Sequence, residues 1–437
     1  MLIPAQKRRS DADPSAKPAG GGRRWDWPVL LVCAVSSLAV GLSSPPDTSQ
    51  QAWGICAAAG YLVAALVALK SAKPWARIPA VISLIGAAVM PLLYLTVISK
   101  EQMEVGVVER GADLLFSSGT PYNATPHIVA DFNPYLPGMT LFGIPHMLFG
   151  DTPLGSARLW FLLGFLAAAI CAVRVLAKGS KSGSLGLNEN VGGGMTGGLG
   201  LLWLIACPLV SLPLAIGGVD PPVIGLLCLA LAFAHRGDAG RAGLALGAAA
   251  ALKWTAWPAI PVLVIMFAVT RGKRAAVKCA LGSIGLAVIS AIPVALVDGG
   301  AFYQNVVLYP LGLGSAASSA QSPLLGSLIV SLVPNGKAVT VVLIALSALG
   351  VGISLLVRPP RTTVAAANRL SMGLILAIVL SPATRIGYLI YPVVLLVWPR
   401  FAAGLASWRE GDDREVTAPA DAPQPVADPD AALAPNR

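Results

Sequence analysis

The stretch KSAKPWARIPAVISLIGAAVMPLLYLTVISK, residues 70–100, decides the class of fold. From Ile78 to Ile98 it carries no charged residue, and that length falls within the roughly 17 to 25 apolar residues a helix needs to cross a bilayer. Three cations, Lys70, Lys73 and Arg77, stand at one end, as expected for the cytoplasmic end of a membrane helix. The rest of the chain repeats the pattern. Of 437 residues, 55% are hydrophobic and 12% charged, and the mean hydropathy is +0.72, which excludes a soluble globular fold. The net charge of +10, from 31 Lys and Arg against 21 Asp and Glu, sits in short clusters between apolar runs. Topology accounts for it without a nucleic-acid partner.

Outward from 78–98, apolar stretches at 27–45, 52–70, 157–176, 196–216, 221–236, 240–254, 255–270, 276–297, 338–357, 367–381 and 385–400 are expected as further crossings. The connection 46–51 carries no cation, whereas Arg174, Lys178 and Lys181, Arg236 with Arg241, and Arg271 with Lys273, Arg274 and Lys278 all fall on the opposite side. The expected fold is an all-α polytopic membrane protein of about 12 transmembrane helices over residues 27–400, with both termini cytoplasmic. Two loops, 99–156 and 298–337, then lie outside. Their apolar pieces at 136–150 and 323–333 are short for a crossing and read as re-entrant or interfacial helices. Residues 1–26 and 401–437 read as disordered cytoplasmic tails, with no cleaved signal peptide before the first span.

Six cysteines lie inside apolar runs without paired spacing, and His127, His146 and His235 are scattered, so neither a disulfide framework, a metal site nor a cofactor is expected. The candidate chemistry rests on ionisable groups that are expensive in or against a membrane. On a helical wheel over 101–116, Val108, Gly111 and Leu115 fall within about 40 degrees of Glu104, while Glu109 and Asp113 point away to an expected solvated face. A carboxylate on an apolar face is suited to take a proton at neutral pH, because desolvation disfavours its charged form. The plainer alternative is that Glu104 pairs with a buried Arg or caps a neighbouring helix.

Lys253, between Trp254 and the end of one apolar stretch, is either a snorkelling side chain or a contact for a phosphate headgroup. Arg385, with Tyr388 and Tyr391 behind it, suits a phosphate or carboxylate, and a salt bridge to Asp220 or Glu104 is the alternative. Asp220 before Pro221 and Pro222 reads first as a helix cap. Asp131 stands in reserve as a second acid in the same outer loop. Asn123-Ala124-Thr125 matches the N-glycosylation pattern but carries no weight without knowledge of the host.

The run EVGVVERGADLLFSSGTPY, from Glu104 to Tyr122, followed by FNPYLPGMTLFGIPHMLFG from Phe132, resembles the first outer loop of the family 87 membrane glycosyltransferases. These are polyprenol-phosphate-mannose-dependent mannosyltransferases and arabinofuranosyltransferases of actinobacteria. ALKWTAWP at 251–258 and SPATRIGYLIYP at 381–392 resemble later outer turns of that family. The resemblance extends over about 78–400 and implies a GT-C-like fold in the plasma membrane.

It also implies transfer of a sugar, of the mannose or arabinofuranose class, from a polyprenyl-phosphate donor to a lipid-linked or cell-wall glycan on the outer face. By resemblance Glu104 is the general base, standing where the family usually shows Asp. Lys253 and Arg385 would offset charge on the leaving phosphate, and Asp220, Tyr122 and Tyr388 complete the candidate substrate-binding set. Relatives often carry a His in the piece matched by SPLLGSLIV, where this chain has Ser327. Two further readings stay open: a transporter or flippase of lipid-linked saccharides, which would place its charges at mid-depth on broken helices, and a non-catalytic membrane subunit of a cell-envelope assembly.

Overall fold

The computed structural model describes residues 25–177, 197–316 and 322–400, and the expected tails lie outside these apart from Trp25 and Asp26. Among the described residues the fold is helical, without a strand. Its principal helices are α1 (Asp26–Ser43), α2 (Ser49–Lys70), α3 (Arg77–Val97), α4 (Met103–Ser118), α5 (Ala157–Ala177), α6 (Gly197–Ile205) and α7 (Pro208–Ile216). They continue with α8 (Asp220–His235), α9 (Ala239–Leu252), α10 (Ala259–Arg271), α11 (Lys273–Val297), α12 (Gly336–Val357), α13 (Thr363–Leu380) and α14 (Ile386–Arg400).

Eight of these are long and apolar enough to cross a membrane: α1, α2, α3, α5, α11, α12, α13, and α10 together with the turn from Trp254 that leads into it. The other four expected crossings take other forms. Helices α6 and α7 make one path bent by 66°, and α8, α9 and α14 are apolar but shorter. The 16 residues of α8 and 14 of α9 rise about 24 and 21 Å, against a hydrocarbon thickness of about 30 Å.

Small residues set the close packing of the first helices. A Cβ on Gly60 of α2 would stand 2.6 Å from the Cα of Gly86 in α3, and one on Gly54 would stand 2.4 Å from the backbone nitrogen of Gly41 in α1. Only glycine permits such approaches, the usual basis of tight packing between membrane helices. Around Gly86, residues Ile85–Val89 form a π turn, and Trp53 Nε1 donates to the Ala87 carbonyl at 2.7 Å. The bend between α6 and α7 is held in the same way. Pro208 opens α7, and the Ala206 carbonyl left over at the break accepts from the Tyr61 hydroxyl.

The main core is built on α5, α8, α9 and α10, with α8 buried on most of its circumference, as befits a central helix. Over one end of this core lie both expected outer loops, and they are knitted together. Asn305 Oδ1 accepts from Asn133 N at 2.8 Å, its Nδ2 donates to the Asn123 carbonyl at 3.0 Å, and Phe132 stacks on Tyr309 with centroids 4.2 Å apart. The expected re-entrant pieces are short helical turns, Pro137–Phe142 with Ile144–Phe149 and Leu325–Leu332.

Candidate active site

Helix α4 begins where Gln102 N donates to the Ile216 carbonyl at the end of α7, which sets the first turn of α4 against the bundle. Its Glu104 is buried, as the wheel requires, and its carboxylate meets Arg385 Nη1 from the segment just before α14. The pairing of Glu104 with an Arg, an alternative left open for both residues, is therefore the arrangement found, with Arg385 itself half-buried.

Beside it lies a second ion pair. Lys253 Nζ stands 2.5 Å from Asp220 Oδ1, with side chains 11% and 12% exposed. Asp220 does not cap α8: no side-chain cap closes that helix, and its Oδ1 also accepts from the Tyr391 hydroxyl at 2.7 Å. Tyr391 is fixed in turn by Thr255 Oγ1, which donates to its hydroxyl oxygen at 2.7 Å. The local Asp-Pro-Pro pattern yields to a tertiary one because a buried ammonium is a stronger partner than a backbone N–H.

Nor does Lys253 snorkel. It breaks α9 with an extended backbone, turns inward and sits 4.8 Å from the ring centroid of Tyr388 and 5.6 Å from that of Tyr135. The Asp220 carboxylate beside it offsets the cost of burying its charge. Arg385 is offset in the same way by Glu104.

All four charged groups line a single cavity of about 560 Å³, together with Tyr135, Tyr388 and Gln102. The remainder of its wall is apolar or uncharged and comes largely from elsewhere: Ser37 and Val40 of α1, Trp53 of α2, and Leu209, Leu212 and Ile216 of α7. Neither this wall nor Tyr135 was marked by charge or spacing in the sequence. The one available signal for Tyr135 was its place in the Phe-Asn-Pro-Tyr turn.

The other candidates lie apart. Tyr122 does not line the cavity; it is buried, packs edge-on to Phe302 and donates to the Tyr135 carbonyl at 2.9 Å, so it positions Tyr135. Asp131 closes its own turn, accepting from His127 N at 2.9 Å and Ile128 N at 3.0 Å, which holds its carboxyl below the ordinary range. It faces a different hollow, shared with Arg110 and Asp113.

Glu109 departs from the wheel's expectation of a solvated face. It is 7% exposed, its Oε1 accepts from Ala157 N at the start of α5, and His146 Nδ1 lies 3.8 Å from its Oε2. The face of α4 opposite Glu104 covers the end of a span at this point, whereas Asp113, one turn further along, is exposed. Burial pushes the Glu109 carboxyl above its ordinary value.

No curated protein and no solved structure matches the chain. The pattern of glycosyltransferase family 87 matches residues 133–382, a shorter stretch than the resemblance over 78–400; it includes Asp220 and Lys253 and leaves Glu104 and Arg385 on either side. A match over 250 of 437 residues, carried on an all-helical, membrane-crossing fold, establishes that the chain belongs to glycosyltransferase family 87.

Proposed function

We propose that this membrane glycosyltransferase moves a sugar of the mannose or arabinofuranose class from a polyprenyl phosphate to a lipid-linked or cell-wall glycan. The reaction takes place on the extracytoplasmic side of the plasma membrane. The observation that carries the reading is a cavity whose wall combines two acids and two cations with apolar side chains of α1, α2 and α7. Such a space suits a ligand with an anionic head and a long apolar tail. The transporter reading is served less well, since none of the four charges stands on the broken path of α6 and α7.

In this reading the chain crosses the membrane about 12 times with both termini cytoplasmic, and the short α8 and α9 set their outer ends, Asp220 and Lys253, below the surface. Glu104 takes the proton of the acceptor hydroxyl as its oxygen attacks the anomeric carbon. The bond from that carbon to the phosphate oxygen breaks, and its electron pair leaves with the polyprenyl phosphate. One displacement inverts the anomeric centre. Lys253 and Arg385 offset the charge that develops on the leaving phosphate, Tyr388 and Tyr135 present rings beside Lys253, and Asp220 holds Lys253 in place.

The test is transfer from a radiolabelled polyprenyl-phosphate sugar into lipid extract. Glu104→Gln, nearly isosteric but unable to accept a proton, should lower transfer by roughly 100-fold or more. Undiminished transfer in that variant would remove Glu104 as the base.

A further inference from the structure

Every charge lining the cavity is already balanced: Glu104 by Arg385 and Asp220 by Lys253. An anionic headgroup entering this space meets no cation without a carboxylate at its side, so it competes with a carboxylate for the cation it meets. The two pairs are not equivalent. Asp220 is held by Tyr391, Tyr391 by Thr255, and Lys253 lies over Tyr388, with both charged side chains nearly closed to solvent. Arg385 is 31% exposed and precedes α14 in a segment of irregular backbone.

We propose that Arg385 is an exchanging residue: the donor phosphate takes it from Glu104 and thereby frees the carboxylate that will accept the proton, while Asp220 and Lys253 stay together. The inference rests on the base role of Glu104 put forward above. It adds that the base is masked until the donor is present, so the donor binds before the acceptor.

The charge arithmetic of transfer supports the exchange. Before reaction the carboxylate carries one negative charge and the phosphodiester one. Afterwards the acceptor proton is on Glu104, which is neutral, and the polyprenyl phosphate monoester carries up to two. The total is unchanged, but the negative charge has moved from the carboxylate to the phosphate. A guanidinium able to reach both follows that movement, and its planar fork suits both carboxylate and phosphate oxygens. When the lipid phosphate departs and Glu104 gives its proton to water, the original pair re-forms.

The test measures binding of a polyprenyl monophosphate, without sugar, to the full-length protein in detergent. Glu104→Gln removes the competitor for Arg385 and should tighten binding by about tenfold over wild type, the scale of one charge-assisted contact. Arg385→Gln should weaken it, and the double variant should bind as Arg385→Gln does, since the gain runs through the guanidinium. Glu104→Ala frees Arg385 equally and replaces Glu104→Gln should that variant not fold.

Unchanged or weaker binding in both Glu104 variants overturns the exchange, as does a gain that survives in the double variant. If Glu104→Gln loses transfer without gaining affinity, the base role stands and the exchange fails. If it keeps transfer, the base role itself fails.

Discussion

Replacing Lys253 by Met removes one charge and little volume, and leaves Asp220 buried with only the Tyr391 hydroxyl for a partner. At 2.5 Å, and with an effective dielectric constant of about 20, the attraction lost is roughly 7 kcal/mol. Much of it offsets the cost of burying both groups, several kcal/mol per ion, so the pair as a whole is nearly neutral for stability. Breaking one side is not neutral. Lys253→Met should cost about 3 to 5 kcal/mol, and adding Asp220→Asn should recover most of that, because the amide in place of the carboxylate still accepts from Tyr391 and carries no charge. The assay is a double-mutant cycle of unfolding in detergent, read by intrinsic fluorescence. A single variant within about 1 kcal/mol of wild type, or a double variant no better than the single, would refute the reasoning. Transfer supplies a second readout. The double variant should be stable but severely impaired, and full activity in it would show that Lys253 serves only to neutralise Asp220.

Three further outcomes are expected. Asp131→Asn should transfer within about threefold of wild type, because an amide oxygen can still close the 127–131 turn; a loss near 100-fold would bring Asp131 back as the base. Glu109→Gln keeps the acceptor for Ala157 but cannot ionise, and the raised carboxyl of Glu109 makes its charging destabilising. Wild type should therefore match the variant below the ordinary carboxylate value of about 4.3 and melt lower than it as pH rises through the raised one, whereas a pH-independent difference in melting contradicts this. Reporter fusions at Asn123 and within 298–316 should both report the extracytoplasmic side, and a cytoplasmic signal at either would invert the proposed site.

Crossings and the candidate acids were legible to different depths. Apolar runs with cations clustered on one side located the helical segments, because the bilayer imposes that pattern locally. How many of them span in full length was not legible, since helix length depends on breaks such as Ala206–Cys207, whose bend is secured by Tyr61 from far away in the chain. The wheel found Glu104 because burial of one helix face has a period. It misplaced Glu109, because a wheel assigns one face to the bundle and the rest to water, and here a second face meets the start of α5. The partners Arg385 and Asp220 were considered from charge and topology, but only the three-dimensional fold chose between cap, headgroup contact and ion pair. Tyr135 was missed altogether, since an aromatic residue in a Pro-rich turn looks the same whether it packs in a core or faces a ligand.

The hairpin of α1 and α2 precedes the segment that matches family 87, yet Ser37, Val40 and Trp53 form one side of the cavity. Under the proposed function, the surface that meets the donor's tail and the groups that make the bond belong to different parts of the chain. Exchanging the hairpin for another that keeps the fit of Gly60 to Gly86 would redraw the α1–α2 side of the cavity while both ion pairs stay in place. Gly60, where α2 meets α3 at Gly86, is the attachment point that such an exchange must keep, while Gly41 and Gly54 hold the hairpin to itself.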